Sequence, residues 1–172
     1  KSVEPKSHVL SNIEVSAQDF FTAMKSKATA SLNRSFVNRL MFGFFNAEGS
    51  NQPFLIVRLE SFDRAFDGML SWEKTMFDDI GALFTRNILP VKEVSPEGGN
   101  GTGTRILSIG TPATQGFEDE AVRNKDARIL KNTQGETVLL YSFLDKETLL
   151  ITSDEQVLQE LVNKLVAQKL IR

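Results

Sequence analysis

Apolar residues recur at three- and four-residue steps over some stretches of this chain and at alternate positions over others. After Ser61, the residues Phe62, Ala65, Phe66, Met69, Trp72, Met76, Ile80 and Leu83 fall on one face of a helix. Ser61 stands at its N-cap, and Asp63 suits the positive end of the helix dipole. Gly68 and Gly81 weaken this helix, and Gly81 marks its frayed or kinked end. A second stripe, Val157, Leu158, Leu161, Val162 and Leu165, follows Ser153, with Gln156 completing a capping box. A shorter helix opens at Ser16, with Asp19 at the capping-box position and Ala17, Phe20, Phe21 and Met24 at helical spacing. Residues 28–37 predict another short helix, with Leu32, Phe36 and Val37 facing inward.

Between the helices the period changes to two. Residues 40–46 predict a Phe-rich strand interrupted by Gly43, followed by a turn over 47–52. Residues 54–60 predict the returning strand, with Leu55, Val57 and Leu59 on one face and Phe54 and Ile56 on the other. Apolar residues on both faces predict a central strand, and Pro53 fits its first position. Residues 127–130, 137–144 and 148–152 predict three further strands. Residues 132–136 form a hairpin turn in which Gly135 supplies a positive φ. Residues 8–15 alternate loosely and predict a short edge strand, whereas 106–109 is too brief to assign.

The order is strand, helices, hairpin, helix, connection, three-stranded meander, helix. It predicts an α+β fold: a mainly antiparallel sheet covered on one face by amphipathic helices, in two hairpin-plus-helix halves. The halves share an architecture but do not align residue by residue. Residues 1–7 are polar and contain Pro5, and read as a tail or linker. Residues 8–172 then form one domain. Its Gly-rich insert near 95–104 combines high backbone entropy with little to bury and predicts a flexible connection.

Composition narrows the function. At 172 residues the chain suits one domain with a self-sufficient core. Twenty basic against 22 acidic residues, for a formal charge of −2, argue against a nucleic-acid partner, which calls for a basic excess. Without cysteine the chain has no disulfide, zinc–thiolate site, iron–sulfur cluster or thiol nucleophile. No apolar run approaches the roughly 20 residues that span a bilayer.

Groupings that could carry chemistry are few. His8, the only histidine, reads as a solvated residue rather than part of a triad. Residues 98–103 (Gly-Gly-Asn-Gly-Thr-Gly) superficially echo a dinucleotide fingerprint but lack a buried strand before and a helix after. Glu73, Asp78 and Asp79 on the long helix do not share a face. The run of Glu118, Asp119 and Glu120 reads as a solvated loop. Asn124 and Asp126 predict a turn, with an Asp126–Arg128 pair fixing the entry to the next strand. Trp72 and the Phe-rich strands read as core. Asn33-Arg-Ser35 and Asn100-Gly-Thr102 match the glycosylation pattern by chance. No catalytic, cofactor-binding or metal-ligating residue is assigned.

Four stretches carry a resemblance. They are Gln52-Pro-Phe-Leu-Ile-Val-Arg-Leu-Glu-Ser-Phe-Asp-Arg-Ala-Phe-Asp-Gly-Met-Leu-Ser-Trp-Glu73, Phe117-Glu-Asp-Glu-Ala-Val-Arg-Asn-Lys-Asp-Ala-Arg-Ile-Leu130, Val138-Leu-Leu-Tyr-Ser-Phe143 and Leu149-Leu-Ile-Thr-Ser153. Over roughly residues 16–166 the chain resembles single-pass membrane-anchored proteins of unassigned function from reduced-genome, candidate-phylum bacteria. The resemblance implies an extracytoplasmic domain that meets the membrane only through an anchor elsewhere in the full-length protein. It brings no activity, cofactor or catalytic residue. The expectation is a non-enzymatic interaction or assembly domain of the cell envelope, its partner another protein or a second copy of this chain. The alternative is a sensor or carrier domain holding a small molecule or cell-wall fragment between sheet and helices.

Overall fold

A computed structural model describes residues 16–47, 50–84 and 116–170. His8, the strand predicted over 8–15, the Gly-rich insert and residues 106–109 lie outside them. The helices are α1 (Ala17–Ala23), α2 (Ala30–Ser35), α3 (Phe62–Ile80), which runs on into a 3-10 turn over Gly81–Leu83, and α4 (Glu155–Leu170). The strands are β1 (Phe36–Ala47), β2 (Ser50–Leu59), β3 (Glu118–Val122), β4 (Lys125–Lys131), β5 (Thr137–Asp145) and β6 (Thr148–Thr152). They form one antiparallel sheet in the order β1-β2-β6-β5-β4-β3.

The sheet is covered on both faces, because its inner strands are apolar on both. Leu55, Val57, Leu139, Tyr141, Leu149 and Ile151 point to one face and pack under α1, α2 and α3. There Phe21, Leu32, Met69, Trp72, Met76 and Ile80 close the larger core. Ile129, Leu140 and Leu150 point to the other face and pack with Leu158 of α4. The one-sided arrangement read from the sequence is therefore replaced by helix, sheet, helix layers. β2 is a central strand as predicted, with Phe54 and Ile56 packed against the second core.

The two hairpin-plus-helix units, β1-β2-α3 and β5-β6-α4, stand back to back across the β2–β6 pairing. Their helices lie on opposite faces of the sheet. The units therefore have opposite hands, and no rotation superposes them, so the shared architecture is not a structural repeat.

Local chemistry explains most boundaries. Ser16 Oγ accepts from Asp19 N at 2.9 Å and donates to Asp19 Oδ2 at 2.7 Å, a reciprocal cap. Thr29 Oγ1 accepts from Leu32 N at 3.2 Å and starts α2. The 28–37 helix therefore begins later and ends earlier than predicted. Phe36 is buried as the first residue of β1, and Val37 is exposed. At the 132–136 turn, Asn132 Oδ1 accepts from Gln134 N and Glu136 N at 2.9 Å each, and Gly135 takes φ +81°.

Other expectations fail for identifiable reasons. Ser61 precedes α3, but its side chain makes no cap hydrogen bond. α4 is capped by Asp154, whose Oδ1 accepts from Gln156 N at 2.7 Å; Ser153 Oγ instead donates to Phe84 O at 3.1 Å. Pro53 lies inside β2, one residue before its pairing with β6 begins at Phe54. Residues 118–120 are not a loop but the start of edge strand β3. Gly68 is a packing feature: a Cβ there would come within 2.7 Å of the Leu32 Cβ, so its bare backbone lets α2 sit against α3.

Candidate functional site

Two features combine residues that sequence spacing did not connect: a polar network beneath α3 and an apolar free edge at β1.

The network joins α3 to the far half of the sheet. Glu73 faces the sheet from α3, and Arg128 and Tyr141 are register partners on β4 and β5. Arg128 Nε donates to Glu73 Oε1 at 2.7 Å, and Arg128 Nη2 donates to Glu73 Oε2 at 2.8 Å, a bidentate pair. Tyr141 Oη donates to Glu73 Oε1 at 2.7 Å. Arg128 Nη2 also donates to Phe117 O at 3.0 Å, and Nη1 pairs with Asp119 at 3.0 Å. Burial, then the adjacent Glu73 carboxylate, pushes the Tyr141 hydroxyl above the ordinary tyrosine range. The hydrogen bonds that Arg128 donates to Glu73 raise its guanidinium above the ordinary arginine range. These groups hold one another; the arrangement suits a structural tie, not a proton relay.

The predicted Asp126–Arg128 pair is thus corrected. Both residues lie on the α3 face of β4, but the guanidinium reaches Glu73, 55 positions away in sequence. The turn at that point falls one step earlier, at Arg123 and Asn124, which both take positive φ (49° and 61°) between the paired Val122 and Lys125.

The acidic residues separate as expected. Glu73 belongs to the network, and Asp78 is exposed. Asp79 Oδ2 accepts from Trp72 Nε1 at 2.7 Å and from Lys27 N at 2.6 Å, tying the α1–α2 loop to α3. Glu120 pairs with Lys131, and Asp119 with Arg128. Among the described residues no three His, Cys, Asp or Glu side chains are grouped to hold a metal ion. Nor is any helix among them long and apolar enough to cross a membrane.

The second feature is the free edge. Among the described residues β1 ends the sheet, and its 12 residues make it the longest strand. Its register irregularity lies between Phe36 and Leu40, so the regular edge runs from Leu40 to Ala47. Phe36 and Leu40 pack into the large core beneath α1, but Phe42 and Phe44 run past it. Their rings meet edge to face at 5.5 Å, and Phe44 is 65% exposed. On the opposite face Met41 is 57% exposed, and Phe45 carries the Lys164 ammonium 5.2 Å from its ring centre. A Cβ at Gly43 would come within 2.9 Å of the Phe54 ring, so that ring lies over the bare backbone at the middle of the edge.

The opposite edge is built differently. β3 has 5 residues and begins Glu118, Asp119, Glu120. Short length and charge are the usual protections of a free edge against pairing. β1 has neither; its one charged residue, Arg39, lies in the irregular stretch. The sequence reading placed the aromatics of 40–46 in the core, because alternation marks a strand's faces but not its neighbours. The concentration of Phe and Met without charge was the available signal of an unguarded edge.

No family model, curated protein or solved structure matches this chain.

Proposed function

We propose that this is a non-enzymatic interaction domain that docks a protein partner along the free edge of β1. The observation that carries the reading is the contrast between the two edges. One is short and acidic, and the other is long and apolar on both faces of the sheet. An edge strand offers a row of backbone donors and acceptors, and exposed side chains beside it provide specificity. The reading takes precedence over a small ligand held between sheet and helices because that interface is filled by Trp72, Tyr141, Met69 and Phe21. The setting we propose, outside the membrane of a reduced-genome bacterium, is supported by the resemblance over residues 16–166.

The test is site-specific photo-cross-linking in the full-length protein in cells. A benzoylphenylalanine at position 44 is expected to form a discrete protein adduct that a second substitution, Met41→Lys, abolishes. The same probe at Asp67, exposed on α3, is expected to give none. Equal labelling from both positions, or an adduct indifferent to Met41→Lys, contradicts docking at β1.

A further inference from the structure

We infer that the partner on the β1 edge is a second copy of this chain, paired antiparallel through β1 about a two-fold axis at Gly43. The inference rests on the docking reading above and adds the identity of the occupant.

Its basis is the self-complementarity of the regular edge. A two-fold axis perpendicular to the sheet keeps each face on its own side, so residues of like parity must oppose each other. Centred on Gly43, the pairing sets Phe42 against Phe44 of the other copy, twice, on the α1–α3 face. It sets Met41 against Phe45, twice, on the α4 face. Aromatic pairs and thioether–aromatic contacts are favourable at these positions. Gly43 meets itself, so no side chain collides with its own copy on the axis.

Charge points the same way. Leu40 to Asn46 contains no charged residue, and the two Arg39 side chains fall at opposite ends of the paired stretch. Like charges directly opposed across strands are destabilising, and this register has none. The formal charge of −2 per copy leaves little repulsion between whole domains. Assembly also stops at two, because the edge left on each copy is the acidic β3. The product is a closed dimer with a continuous sheet rather than a fibre.

The chain has no cysteine, which allows a clean test of register. Directly opposed residues of antiparallel strands have Cα atoms about 4.5–5.5 Å apart, within disulfide reach, whereas a diagonal pair lies beyond it. Phe42→Cys and Phe44→Cys chains, distinguished by mass, are mixed and oxidised under mild conditions. The inference predicts that the mixed 42–44 disulfide forms well ahead of 42–42 or 44–44. Sedimentation equilibrium of the unmodified chain should approach twice its 19.2 kDa. Phe44→Lys should remain monomeric and folded, melting where the unmodified chain does once diluted to monomer, since Phe44 is exposed. A dimer that survives Phe44→Lys overturns the inference, and so does a monomer at every concentration without the mixed disulfide. In the monomer case a cross-link from position 44 to a different protein still supports docking at β1, and no cross-link removes both readings.

Discussion

Tyr141 illustrates how one residue's surroundings set a pH dependence. Buried against Glu73, its hydroxyl stays protonated well above the pH at which a free tyrosine ionises, about 10. Above that pH the unfolded chain releases this proton and the folded chain keeps it. The unfolded state then binds fewer protons, so the stabilisation is fully present below about pH 10 and is lost as pH rises further. The slope is about 1.4 kcal/mol per pH unit for one group. Tyr141→Phe should remove this component and cost about 1–2 kcal/mol at neutral pH, because Glu73 Oε1 loses a donor. Urea denaturation of both proteins near neutral pH and at about pH 11 measures the difference; parallel pH profiles would contradict it. None of this was legible in the sequence. Glu73, Arg128 and Tyr141 lie far apart along the chain, and nothing in their local spacing names a partner. Phe66 was also misread from spacing. It falls on the helical stripe but is 41% exposed, stacking on Phe62 and lying tilted against Phe143 at the rim of the core.

Elements were more legible than contacts, because their signals are local. The stripe of Ala65, Met69, Trp72, Met76 and Ile80 marked α3 and its buried face, and the two-sided apolar pattern of residues 54–60 marked a central strand. The caps were less legible. Ser16 caps as read, whereas Ser61 does not, and Asp154 displaces Ser153. Neighbouring Ser and Asp are equally good caps, and tertiary partners such as Phe84 O decide between them. Gly68 shows how far tertiary packing can reverse propensity. Gly68→Ala adds about 1 kcal/mol of intrinsic helix preference, but its methyl would meet Leu32 at 2.7 Å. Forcing α2 away from α3 should outweigh the gain and leave the variant about 1–2 kcal/mol less stable. Thermal unfolding checks this, and a variant as stable as the parent would mean that α2 shifts freely.

For the whole molecule, the fold class follows from the order of elements, but the division of helices between the two faces does not. Both hairpin-plus-helix units have the same order of elements, and the hand of each unit decides the face. Nor does a sequence say which strands end a sheet. Among the described residues, strand order places apolar β1 at one edge and acidic β3 at the other. Backbone hydrogen exchange at low and high protein concentration tests most directly whether β1 is the working edge. Pairing predicts that the alternate amides of Leu40–Asn46 that point away from β2 gain protection as concentration rises, whereas those of β3 do not change. Exchange along β1 that is the same at every concentration, or protection that appears on β3 instead, would contradict it.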